Sequence, residues 1–94
     1  MKAIFNVNSY ATVTLTDFGL EILEKNWMEF YEQFPNDKYR EYFIKRVESI
    51  RENGMVYRDQ MHSIMRTFGN YITIGCNLPF ETEIVLEDLE IVKE

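Results

Sequence analysis

Between Ala11 and Leu15 the chain reads Ala-Thr-Val-Thr-Leu, apolar and polar in strict alternation and rich in β-branched side chains. Successive side chains on a strand point to opposite faces, so this run predicts a half-buried β-strand. Ile4, Phe5 and Val7 suggest an earlier strand, with Asn8-Ser9 as the turn of a hairpin. The period then changes. Leu20, Leu23, Trp27, Phe30 or Tyr31, and Phe34 recur every three or four residues and predict one apolar helical face, with Glu21, Glu24, Lys25 and Glu29 mostly opposite. Thr16-Asp17 has the chemistry of a helix start, a hydroxyl that accepts from free backbone N–H groups followed by an acid at the positive end of the dipole. Pro35-Asn36-Asp37 closes this helix and opens a second, from about Lys38 to Glu52, whose stripe is Tyr39, Phe43, Val47 and Ile50. Asn53-Gly54 is a left-handed stop.

Beyond that stop, Met55-Val56-Tyr57 reads as a short connector or strand, and Asp59 as the cap of a third helix carrying Met61, Ile64 or Met65, and Phe68. Gly69-Asn70 ends it. Tyr71-Ile72-Thr73-Ile74 reads as a strand, Asn77-Leu78-Pro79-Phe80 as a turn, and Thr82–Leu86 as a final alternating strand with Ile84 and Leu86 on one face and Glu83, Val85 and Glu87 on the other. Strands at both ends with helices between them imply an α+β fold: a small antiparallel sheet from N- and C-terminal strands packed against two or three central helices. Residues 1–94 fit a single domain. With 46% hydrophobic residues and only two prolines and four glycines, the chain can build one core but has little apolar surface to spare.

Cys76 is the only cysteine, which excludes an internal disulfide. No run approaches the ~18 apolar residues of a membrane span, and the N-terminus lacks the apolar core of a signal peptide. A cytoplasmic location follows as the expectation, with no membrane partner.

Candidate chemistry is sparse. One His and one Cys cannot supply the four ligands of a Cys/His zinc site, and the four glycines are scattered, so neither a phosphate-cradling loop nor a dinucleotide fingerprint is present. No metal or cofactor is expected. His62 is the sole candidate general base; it sits beside the apolar stripe of the third helix with no patterned nucleophile, which reads as a satisfied or solvent-facing side chain. Cys76, followed by an acidic segment, reads as an inert buried thiol. The spacing of Trp27, Phe30, Tyr31 and Phe34 marks core rather than a base-stacking platform, because their polar neighbours Glu24, Glu29 and Glu32 are acidic.

Charge is the most informative bulk property. The chain carries −6 overall, yet residues 81–94 hold six acids (Glu81, Glu83, Glu87, Asp88, Glu90, Glu94) against Lys93, a net of −5. Residues 38–66 hold seven bases against four acids. An acidic whole argues against direct binding of nucleic acid, which needs a positive face. Two readings of the acidic stretch compete. Charges on an exposed edge strand deter sheet-to-sheet aggregation. Alternatively, Glu81, Glu83, Glu87, Asp88 and Glu90 form a partner-binding face; carboxylates two apart on a strand recur at roughly 6.5–7 Å, comparable to the phosphates of a nucleic-acid strand, a parity that Glu81, Glu83 and Glu87 satisfy with Val85 interrupting the row. The partner would be a host protein with a basic surface. The basic helical face also admits a second copy of the chain, giving a homo-oligomer.

The segment Phe68-Gly69-Asn70-Tyr71-Ile72-Thr73-Ile74-Gly75-Cys76-Asn77-Leu78-Pro79-Phe80-Glu81-Thr82-Glu83-Ile84 resembles a group of small bacteriophage and prophage proteins. Leu15-Thr16-Asp17-Phe18-Gly19 is similar too. The resemblance implies a phage origin and brings no catalytic residue with it. The expected function is that of a non-enzymatic phage or prophage accessory protein in the bacterial host's cytoplasm, binding and modulating a host protein and inhibiting a nucleic-acid-binding defence component through the acidic surface. The alternative is a small-ligand binder or oligomeric structural phage protein, with a pocket lined by Tyr57, Met61, Met65, Tyr71 and Phe80.

Overall fold

In a computed structural model describing residues 2–73 and 77–92, the alternating run around Val13 is the central strand of the molecule. Along the chain the elements are β1 (Lys2–Ile4), β2 (Tyr10–Leu15), α1 (Asp17–Gln33), α2 (Asp37–Glu52), β3 (Val56–Gln60), α3 (Met61–Phe68), a 3-10 turn (Gly69–Tyr71), β4 (Phe80–Leu86) and β5 (Glu90–Val92). The fold is α+β, with small antiparallel sheets and three α-helices. One sheet has the order β3-β2-β4; the other pairs β1 with β5.

Alternation along β2 is the organising fact. Ala11, Val13 and Leu15 point inward and are buried, while Tyr10, Thr12 and Thr14 face the open side. Val13 stands opposite Tyr57 on β3 and Ile84 on β4. Leu20, Ile22 and Leu23 of α1, Ile50 of α2, and Ile64 and Phe68 of α3 join the inward residues in one core. Phe68, fully buried, holds the centre with edge-on contacts to Tyr57 at 6.1 Å and Phe80 at 5.8 Å.

The start of α1 is tied to the segment that leads into β4. Thr16 Oγ1 accepts from the Gly19 N–H at 3.2 Å, as predicted for a cap, and also donates to the Leu78 carbonyl at 2.6 Å. The Thr16 N–H donates to the Pro79 carbonyl at 3.1 Å. Phe18 meets Tyr71 edge-on at 5.8 Å. The start of α1 and the run into β4 therefore form a structural junction.

Several expectations are corrected. The N-terminal strand does not form a hairpin with β2, because both edges of β2 are taken by β3 and β4; β1 pairs instead with β5, Ala3 opposite Ile91. A left-handed Asp88 (φ 58°) precedes β5, a strand with no counterpart in the sequence reading. Asp59 does not cap α3. It lies on β3 and accepts from the Tyr57 hydroxyl and the Gln60 N–H, both at 2.7 Å. The free N–H groups of Met61 and His62 donate to the Ser9 and Val7 carbonyls, so the loop before β2 caps the helix. Tyr71 belongs to a 3-10 turn continuing α3, because Gly69 is right-handed (φ −55°, ψ −38°), and Ile72 and Thr73 are not strand. The readings of Ile74, Gly75, Cys76, Lys93 and Glu94 fall outside the described residues.

The largest correction concerns the aromatic stripe. In α1 only Gly19, Leu20, Ile22 and Leu23 are buried, and in α2 only Ile50. A strand of five or six residues spans ~17–20 Å, whereas the 17 residues of α1 span ~25 Å. The sheet is too short to cover the whole helix. Beyond Leu23, α1 pairs with α2, Trp27 stacking on Phe43 at 5.3 Å and Phe30 meeting Tyr39 edge-on at 5.6 Å. This antiparallel arm helps stretch the molecule to 53 × 30 × 25 Å, with a radius of gyration of 15.1 Å against ~12 Å for a compact chain of this length.

Candidate interaction surfaces

β4 closes one side of its sheet. Its inner edge pairs with β2, and among the described residues no strand pairs with the outer edge. Every residue from Glu81 to Leu86 is exposed: the buried core draws on β2, β3 and the three helices and includes no residue of that run. Ile84 and Val85, 40% and 63% exposed, thus flank Glu81 and Glu83 in a mixed apolar and acidic margin.

The expected row of Glu81, Glu83 and Glu87 is not evenly spaced. Leu15 stands opposite Phe80 and Val13 opposite Ile84, so three residues, Glu81 to Glu83, face Thr14 alone. This bulge breaks the even spacing that a flat strand would give Glu81 and Glu83. Glu87 lies just beyond β4 and is engaged: Arg58 donates to it from Nε at 2.6 Å and Nη2 at 3.0 Å, while the guanidinium carbon sits 4.0 Å from the centre of the Tyr10 ring. Those hydrogen bonds hold the Glu87 carboxyl below its ordinary value and raise the Arg58 guanidinium. Arg58 on β3, Tyr10 on β2 and Glu87 after β4 form a clasp across the open face of the sheet, a pairing that sequence reasoning missed because it depends on strand order. Asp88 is exposed in the following turn and adds to the negative field at Arg58; Glu90 is exposed on β5. Glu81, Glu83 and Glu90 make no ion pair among the described residues.

No group of three or more His, Cys, Asp or Glu is placed to hold a metal among the described residues. His62 is exposed, its Nε2 3.1 Å from Gln60 Oε1. The Tyr57 hydroxyl is pushed well above its usual range, first by burial and then by the hydrogen bond it donates to Asp59. Of the residues expected to line a ligand pocket, Tyr57 and Phe80 pack on Phe68 in the core, whereas Met65 and Tyr71 are exposed.

Two concave surfaces lie along the arm. One open groove of ≈ 830 Å³ is lined by Asn26, Trp27, Glu29, Phe30, Gln33, Tyr39, Tyr42, Phe43 and Arg66. A second, ≈ 370 Å³, shares Trp27 and Phe43 but otherwise uses Glu24, Met28, Ile44, Val47, Glu48 and Arg51. At 100° per residue, positions 26, 30 and 33 lie on the side of α1 opposite 24 and 28, so the grooves occupy opposite faces of the arm.

Fold and surfaces together define a small α+β protein with an acidic sheet margin and an exposed aromatic helical arm. No family model, curated protein or solved structure matches the chain.

Proposed function

We propose that this chain is an accessory protein of phage or prophage origin that docks onto a basic surface of a host protein in the bacterial cytoplasm and modulates it. A nucleic-acid-binding component of host defence is the fitting target class, because a carboxylate surface competes for a groove built to take phosphates. One observation carries the reading: Glu81 and Glu83 stand exposed on β4, the edge strand of its sheet, with no ion-pair partner among the described residues, beside exposed Ile84 and Val85. An edge strand offers backbone hydrogen bonds and alternate side chains to a partner, and the acids set the sign of that partner. Glu87 contributes less, since binding through it must compete with Arg58.

The test compares wild type with Glu81→Gln/Glu83→Gln in affinity capture from host lysate, followed by titration against the captured, purified protein. The expected result is saturable binding that weakens with salt and falls at least tenfold in the double variant, roughly 1.4 kcal/mol. A partner held equally by both proteins, or no saturable partner at all, refutes the reading and leaves the acids as protection against edge pairing. The oligomeric structural alternative is favoured by a different observation, the bare arm, taken up next.

A further inference from the structure

We infer that two copies of this chain associate through the arm, with the groove lined by Phe30, Tyr39 and Tyr42 facing its equivalent across a two-fold axis. The inference goes beyond the acidic-margin reading and stands without it. Phe30, Phe34, Tyr39 and Tyr42 are 42%, 56%, 44% and 59% exposed. Aromatic side chains bury 150–250 Å² each, so half-exposed rings leave roughly 100 Å² apiece, about 400 Å² in the set. A standard interface takes ~800 Å² from each partner, of which somewhat over half is apolar. The rings alone supply most of that apolar half, and Asn26, Gln33 and Glu29 at the groove supply polar rim.

Charge selects a second copy as the occupant. α1 carries five acids against Lys25, whereas α2 carries five bases against four acids. A two-fold interface presents the same patch from both sides, so it must complement itself. Two antiparallel arms related in this way set the acidic α1 of each on α2 of the other, where bases slightly outnumber acids, in the packing of a four-helix bundle. The opposite face is the poorer candidate: its groove is smaller, and its rim charges Glu24 and Arg51 already pair with each other at 3.3 Å.

Sedimentation equilibrium of the full chain from about 1 to about 200 μM tests this, with Trp27, the only tryptophan, as an internal reporter in the groove. Expected are a shift from monomer to twice the monomer mass, a parallel blue shift of Trp27 emission, and a Tyr42→Glu variant with unchanged circular dichroism whose dissociation constant rises more than about thirtyfold. Met28→Glu, on the other face, should leave the dimer within about threefold. A wild type that stays monomeric throughout overturns the inference, as does a dimer that survives Tyr42→Glu or is lost equally in Met28→Glu. Should Tyr42→Glu fail to fold, a mass increase without any change in Trp27 emission overturns it on the wild-type protein alone.

Discussion

Replacing Gly19 with alanine puts the junction between α1 and the Leu78-Pro79 segment to a direct test. An ideal Cβ on Gly19 lies 1.7 Å from the Pro79 carbonyl oxygen and 2.7 Å from its carbon, so backbone must move. The segment is pinned by the Thr16 N–H to Pro79 and by Thr16 Oγ1 to Leu78. Pro79 is itself fully buried, so it has little room to retreat. Overpacking of this kind costs about 1–3 kcal/mol, and each hydrogen bond lost adds about 1 kcal/mol. Against this, alanine is about 1 kcal/mol better than glycine inside a helix. The balance is about 2–4 kcal/mol of destabilisation, which for a domain of this size lowers the melting temperature by roughly 10–25 °C. Thermal unfolding followed by circular dichroism and Trp27 emission measures it. The control is Gly69→Ala, where no heavy atom comes within 4 Å of the added carbon and the backbone is right-handed; it should match wild type or gain up to about 1 kcal/mol. If Gly19→Ala melts within about 4 °C of wild type, or above it, the helix start is not clamped and the reasoning fails.

Two further predictions concern titration. Glu87→Gln should lower the melting temperature relative to wild type at neutral pH. Because the Glu87 carboxyl is depressed in the fold, its contribution is present above the ordinary value of 4.5 and is lost as pH falls below it; melting curves of the two proteins must converge in acid, and a gap independent of pH refutes the clasp. Tyr57→Phe deletes a 2.7 Å hydrogen bond to a carboxylate and should cost about 1.5–3 kcal/mol in urea titrations at neutral pH. Since the Tyr57 hydroxyl is raised, its contribution is full below the ordinary value of 10.0 and is lost as pH rises beyond it; a difference that instead grows above that value contradicts the assignment.

What the sequence announces well is local. β2 is readable because its alternation and β-branching agree. The start of α1 is readable because Thr16 is a hydroxyl ahead of an acid, and the end of α2 because Asn53 precedes Gly54, which takes φ 76°. Asp59 was misleading for a non-local reason: it has the chemistry of a cap, but carbonyls some fifty residues earlier fill that role. The same holds for the clasp, whose partners are 29 residues apart and meet only because β2 lies between β3 and β4. The aromatic stripe exposes a different limit. Periodicity reports which face of α1 is apolar, but whether that face is buried depends on how far the sheet reaches. Of the candidate surface, the exposure of Glu81 and Glu83 was legible; the bulge beneath them was not.

Net charge decides which of the two bare surfaces suits self-association. A chain at −6 repels its own copy most where its acids concentrate. Pairing β4 with its equivalent would bring Glu81 and Glu83 against the same residues of the partner, with the cost of like charges placed directly opposite. Phe80 stands opposite Leu15, so Glu81 lies near the N-terminal end of α1, while Phe30 lies 13 residues along that helix, or ~20 Å. At physiological ionic strength charges are largely screened beyond ~8 Å, so an arm-to-arm dimer scarcely feels Glu81 and Glu83. The exposed rings supply ~400 Å² of apolar surface per copy, most of the apolar share of a standard-size interface. Such a dimer leaves both acidic margins open, so a single assembly would present two copies of the proposed docking surface to a basic partner.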